Sequence, residues 1–321
     1  MFSPVGVVID AFTAETRRAF LAAFPHPSPQ LADALDTATR MALEILANTD
    51  AAYHDLEHTV MVTQVGQEIL RGKMVADADV TPERWVQFVV STLFHDIGYV
   101  RGICRGDRGG QYVIDEHGTT MTPDPGATDA CMTPHHIDRG KIFMHERFGD
   151  DPLIDTEAIC RNIELTRFPV PAAQDYRGVT DFPGLVRAAD LIGQLADPRY
   201  PQKLSRLHAE FTETGEAARQ GHRSPADLRA AYPSFFWGMV SPYIGEALRL
   251  LRKTQSGQQV VANLFGHVFQ EEHEAPAYGP ERRNCADRRR GDGERTTPDS
   301  AARRERRRTG GRRRTDPSRS H

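Results

Sequence analysis

Two short stretches carry the side chains best suited to chemistry, Tyr53-His54-Asp55-Leu56-Glu57-His58 and Phe94-His95-Asp96-Ile97-Gly98-Tyr99. The first sets two imidazoles four residues apart, which on a helix means one face, one turn above the other. The second joins an imidazole to a carboxylate where a helix should stop. A third stretch, Leu185-Val186-Arg187-Ala188-Ala189-Asp190-Leu191, puts an aspartate into a mostly apolar helical run, and a buried carboxylate needs a partner. Neutral imidazole nitrogens and carboxylate oxygens together make a mixed site suited to Mn, Fe or Zn, or to Mg if more oxygens are added. The expected inner set is His58, His95, Asp96 and Asp190, holding one or two divalent ions with positions left for water and a substrate oxygen.

Helices must position these residues. Leu31, Ala34, Leu35, Ala38, Met41, Ala42 and Ile45 recur at helical spacing, and Val62, Val65 and Ile69 continue the stripe of His58, turning that imidazole inward and leaving Gln64 and Gln67 on the solvent side. Thr81-Pro82, Asp155, Asp181 with Pro183, Ser224-Pro225 and Ser241-Pro242 read as helix starts, as does Thr133-Pro134, which would put His135 and His136 in a first turn. No strand pattern exceeds a few residues, so an all-α body is expected.

Residues 98–128 show no periodicity and read as a long loop beside the site. Its Arg101, Arg105 and Arg108 are candidates for binding a phosphate, and His117, His135 and His136 for a second metal or for phosphate contact. The Arg105-Gly106-Asp107 triplet carries no adhesion meaning in this setting.

Four cysteines without a C-x-x-C pair support neither a disulfide framework nor a zinc finger, and suit a reducing cytoplasm. No apolar run approaches the length of a membrane span, and the first residues lack a basic leader, so a protein that is neither exported nor membrane-spanning is expected. From about residue 276 the composition changes. Residues 281–321 hold 15 Arg against seven acidic residues, a net +8, which leaves −12 on residues 1–280 of the chain's −4. Such a tail has too little apolar surface to fold and is expected to be disordered. It would bind nucleic acid or another polyanion, or serve solubility, but has no aromatic residue after Tyr278 for base stacking. The expected organisation is a helical extension over 1–50, a catalytic domain over 51–275 and the tail over 276–321.

Taken together, the His, the His-Asp pair and the distant Asp resemble the signature of the HD-domain metal-dependent phosphohydrolases. Tyr53 to His58 is similar to the cyclic nucleotide phosphodiesterase version, Tyr-His-Asn-x-x-His, with Asp55 in place of the Asn. Ala189-Asp190-Leu191 is similar to its later Ala-Asp-Leu, and His208-Ala209-Glu210-Phe211 with Gly215 to its Glu-Phe-x-x-x-Gly stretch. Over residues 50–250 the resemblance implies a single helical bundle that hydrolyses a phosphodiester or nucleotide phosphate with metal-activated water. It also implies that His54 protonates the leaving oxygen; Asp96, if it bridges, would hold a second ion. Thr166 and Gln194 would line the substrate pocket, with Phe235 or Phe236 as an apolar clamp. Two other readings stand beside it. One is a di-iron oxygenase of the same fold, which needs extra His ligands between Asp96 and Asp190. The other is a non-catalytic regulator whose tail binds a polyanion.

Overall fold

The computed structural model describes residues 3–77 and 79–274, and the Arg-rich tail expected over 276–321 lies outside the described residues. The body is all-α. Its helices are α1 (Pro4–Ala23), α2 (Pro29–Leu46), α3 (Leu56–Asp77), α4 (Pro82–Phe94), α5 (His136–Phe148), α6 (Thr156–Glu164), α7 (Phe182–Leu195), α8 (Tyr200–Glu213), α9 (Glu216–Gln220), α10 (Pro225–Phe235), α11 (Ser241–Leu251) and α12 (Gln255–Glu274). No described helix is long and apolar enough to cross a membrane.

Local chemistry sets most of the boundaries. Thr81 Oγ1 accepts from the Arg84 N–H, Asp155 Oδ1 from Ala158 and Asp181 Oδ1 from Gly184, each followed by a first turn that tolerates or contains proline. Each cap contributes about 1 kcal/mol. One expected start shifts. Thr133-Pro134 follows a 3-10 turn over Asp129–Met132, and α5 begins only at His136. α11 opens at Ser241-Pro242 as expected, although the chain reaches it from α10 through a π-helical turn, Phe236–Val240, with no loop between. Pro242 has no N–H to donate, which frees a carbonyl and lets the backbone widen there.

Residues 1–275 form one compact unit. Phe12 and Phe20 of α1 and Leu35 and Leu43 of α2 share a single core with Ile69 and Leu70 of α3, Trp85 and Phe88 of α4, and Leu250 of α11. Gln67 is buried in that core, against expectation, since α3 is covered on more than one face. The 98–128 excursion is a loop carrying one hairpin, β1 (Tyr112–Val113) and β2 (Thr120–Met121), antiparallel with Tyr112 opposite Met121.

The packing places several helix ends together. Gly66 on α3 faces Phe88 and Thr92 of α4 and Ala189 of α7. From there α3 runs back to His58 while α4 and α7 run forward to His95 and Asp190. All three residues therefore arrive at one end of the bundle.

Candidate metal centre

Each inner residue has its own positioning device. Asp55 Oδ1 accepts the His58 N–H at 3.0 Å and so begins α3, a role Asn fills equally well. His54 consequently precedes the helix and does not lie one turn below His58 on it; the two rings meet edge to face, with centroids 5.6 Å apart. α3 and α7 touch backbone to backbone, since a Cβ on Gly193 would lie 2.7 Å from Val62 Cα. That approach holds the two helices close enough for His58 Nε2 to stand 3.4 Å from Asp190 Oδ1. Gly98 does the same for α5, where a Cβ would fall 1.9 Å from the His136 carbonyl oxygen.

Four side chains converge. His58 Nε2 and His95 Nε2 are 3.3 Å apart. Asp96 Oδ2 stands 3.2 Å from the first and 3.1 Å from the second. Asp190 Oδ1 stands 3.4 Å and 3.6 Å from the same two nitrogens. His58, His95 and Asp190 offer ligand atoms mutually within 4.8 Å, and Asp96 joins through its contacts to both imidazoles. Ligands held at about 2.1 Å from one ion are about 3.0–3.4 Å from one another at octahedral or tetrahedral angles, which matches these separations.

The fit also shows in what lacks a partner. The His95 Nδ1–H donates to the Thr92 carbonyl at 2.8 Å, which leaves Nε2 as a lone pair. Asp96 Oδ2 is buried without a hydrogen-bond partner although it faces two imidazole nitrogens. Lone pairs of N and O aimed at one point repel unless a cation or a proton lies between them. Without a metal, the protons supply that charge. Burial works against a charged His95, but Asp96 and Asp190 raise it well above its ordinary value, and His58 is raised against burial by Asp190 and Asp96. Burial favours neutral carboxyls, yet His95 and His58 hold Asp96 well below the usual range, and Asp190 falls to about 2.

Around this centre stands a stacked column. His54 lies on Tyr99 at 4.5 Å and 11°, and Tyr99 on His136 at 4.4 Å and 21°. His54 Nδ1 is 2.6 Å from Glu210 Oε2, while Glu210 Oε1 accepts the Tyr53 and His54 backbone N–H groups at 2.6 and 3.2 Å. Burial alone lowers the His54 pKa, but Glu210 outweighs it and carries the imidazole up to about 9. Neither Tyr99 nor the bracing role of Glu210 was assigned from the sequence. Glu210 sits in a recognised motif, but its partner is 156 residues away.

The remaining candidates separate. His136 Nε2 is 3.8 Å from Asp96 Oδ1, with Nδ1 on the Thr133 carbonyl at 2.7 Å, so its free nitrogen faces the centre. His135 is the residue before α5 and is pushed down by burial, with Asp138, Arg139 and Asp115 as its charged neighbours rather than the inner set. His117 is exposed at the tip of the hairpin, where its N–H donates to Asp115. Of the three expected extra ligands, then, only His136 reaches the cluster. Arg101 is occupied by Asp129 (2.6 Å), Asp50 (2.9 Å) and the Ala127 carbonyl (3.0 Å), and Arg105 by the Glu146 carbonyl (2.6 Å). The Thr166 hydroxyl bonds back to the Ile163 carbonyl, and the Gln194 side chain lies beside Tyr200.

A family model matches residues 2–274. The chain belongs to the Npun_R2479-like family. The match ends where the composition turns arginine-rich, so the family is defined by the helical body. No curated protein and no solved structure matches the chain.

Proposed function

We propose that this Npun_R2479-like protein is a metal-dependent phosphohydrolase, similar to the HD-domain enzymes, that cleaves a phosphodiester or nucleotide phosphate ester. A reducing, cytoplasmic setting accords with Cys104, Cys131 and Cys160, all free. The observation that carries the reading is the set of lone pairs converging from His58, His95, Asp96 and Asp190, with Asp96 Oδ2 buried and unpartnered.

When bound there, a divalent ion would polarise a phosphoryl oxygen and lower the pKa of a water. The chain's own residues do the rest. Asp96 and Asp190 supply the two negative charges that balance such an ion. Glu210 holds His54 by Nδ1 and keeps it protonated at neutral pH, so that Nε2–H is the proton available to a departing ester oxygen. Tyr99 and its stack on His136 fix the plane of that ring. A purely structural ion site has no use for a braced, protonated imidazole beside it.

The test is hydrolysis of bis-p-nitrophenyl phosphate by the full chain with Mn²⁺. Release of p-nitrophenol that requires the ion and disappears in Asp96→Ala supports the reading. Tight iron with oxygen uptake and no hydrolysis would replace it by the oxygenase.

A further inference from the structure

Of the loop arginines expected to meet a phosphate, Arg101 and Arg105 are spent on protein oxygens and Arg108 is exposed, yet two other cations stand at the metal end of the bundle. α6 lies parallel to α4. Gln87 bonds the Leu153 carbonyl and the Asp155 N–H just before α6, and farther along Asn162 donates to Ser91 Oγ at 2.8 Å. One more turn takes α4 to His95 and α6 to Thr166 and Arg167. α5 runs the opposite way along α6, with Thr156 Oγ1 on the Phe148 carbonyl, Cys160 beside His145, and Lys141 on Glu164. The start of α5, which bears His136, and the end of α6 therefore share the end of the bundle that holds His95 and Asp96.

At that end Lys141 Nζ is 2.6 Å from Glu164 Oε2 and 3.1 Å from Asp138 Oδ1. Arg167 Nη2 is 2.5 Å from Asp138 Oδ1, and its Nε bonds Glu164 Oε1. The Tyr176 hydroxyl donates to Glu164 Oε1 at 2.6 Å. Burial favours a neutral Glu164, but Arg167, Lys141 and Tyr176 hold it down to about 2, so it is a permanent brace. The cations keep exposure to solvent, 30% for the Lys141 side chain and 26% for Arg167. Arg167 Nη1 makes no hydrogen bond among the described residues, and Lys141 has a third hydrogen to give.

We propose that Lys141 and Arg167 form a phosphate-binding subsite at the metal end of the bundle, engaging the second phosphate group of a substrate that carries two. The proposal rests on the phosphohydrolase reading and names its substrate class. With Nε on Glu164 and Nη2 on Asp138 and Glu164, Arg167 meets a phosphate oxygen through Nη1, and the Lys141 ammonium beside it adds a point charge. Because Asp138 and Glu164 already fix both side chains, little rotamer freedom is left to lose on binding.

Calorimetry on the Mn²⁺-loaded full chain, with methylphosphonate and methylenediphosphonate as probes, tests it. The diphosphonate should bind at least about tenfold more tightly than the monophosphonate, and Arg167→Gln or Lys141→Gln should narrow that ratio to about twofold. Arg167→Lys, keeping the charge without the planar brace on Glu164 and Asp138, should fall between. A thermal melt of each variant guards against lost folding, and Arg167→Lys keeps the test open if one glutamine variant melts early, since chelation of Mn²⁺ alone favours the diphosphonate and only the change of the ratio on substitution reads the subsite. Equal affinities in the wild type, or a ratio that survives both substitutions in folded protein, overturn the subsite. If monophosphonate binds and bis-p-nitrophenyl phosphate is hydrolysed while the ratio is near one, only the subsite falls. If neither phosphonate binds and nothing is hydrolysed, the phosphohydrolase reading falls with it.

Discussion

Two polar regions sit on the same bundle and use charge in opposite ways. Where the 98–128 excursion packs on Arg139 of α5, the buried charge is spent. Arg139, with no exposure, is bonded to both oxygens of Asp107 and to the carbonyls of Gly98, Val100 and Val113, and Arg101 is bonded to Asp129, Asp50 and Ala127. At the centre, His58, His95, Asp96 and Asp190 point lone pairs at one another, and Asp96 Oδ2 has no hydrogen-bond partner. Residue type alone marks both regions as candidate sites. What separates them is whether bonding capacity is used up inside the protein, since a satisfied network rigidifies and an unsatisfied one awaits a ligand.

Substitutions can break this contrast. The largest effect belongs to Asp96→Ala, which removes the carboxylate nearest both imidazoles; p-nitrophenol release should drop by more than about 10³-fold, with ion binding lost as well. His54→Ala should keep the ion and lower kcat by about 10²- to 10³-fold in steady-state assays, the scale of general-acid catalysis. On the loop side, Arg139→Met strands Asp107 without its partner and should cost about 3–5 kcal/mol in urea unfolding. In that variant the metal stoichiometry of the molecules that remain folded should be unchanged.

The smallest effect is on pH. Glu210→Gln should move the alkaline limb of kcat downward and cut the rate by about tenfold at pH 8. The sign follows from the raised His54 pKa, because the charged form is an acid below about 9 and is lost above it. Asp96 and Asp190 also raise His54, and a bound cation would offset their share, leaving Glu210 as the lasting cause. The stability this pair lends is fully present below the ordinary imidazole value of about 6.5 and fades as the pH rises through about 9.

The difference between the regions also explains how much could be read without the structure. The all-α body, the caps at Thr81, Asp155, Asp181 and Ser224, and the inward turn of His58 all follow from local rules that span a few residues. α1 was expected only as part of a helical extension over 1–50, without bounds of its own, because Thr13 and Thr16 are buried among its apolar positions and blur the stripe. Gln67 was assigned to solvent by type, and only the covering of α3 from several sides puts it inside. The convergence of His58, His95 and Asp190 was legible because His58 and Asp190 lie on helices, and His95 directly follows one, whose apolar faces fix their directions. The arginines were misjudged because their partners, Asp129, Asp50 and Glu146, are 28 to 51 residues away and no local pattern announces such pairs. Glu210 and Tyr99 were hidden for the same reason, and so was the braced pair Lys141 and Arg167.

Titration of the metal-stripped chain with Mn²⁺ by calorimetry, alongside Asp96→Ala and His54→Ala, tests the central claim most directly. The account predicts saturable binding of one or two ions per chain, lost in Asp96→Ala and retained in His54→Ala, with affinity that weakens as the pH falls and His58 and His95 take up protons. Absence of binding by the folded wild-type chain to Mn²⁺, Fe²⁺, Zn²⁺ or Mg²⁺ would contradict it, and the four converging side chains would then be a proton-sharing cluster that only stabilises the fold.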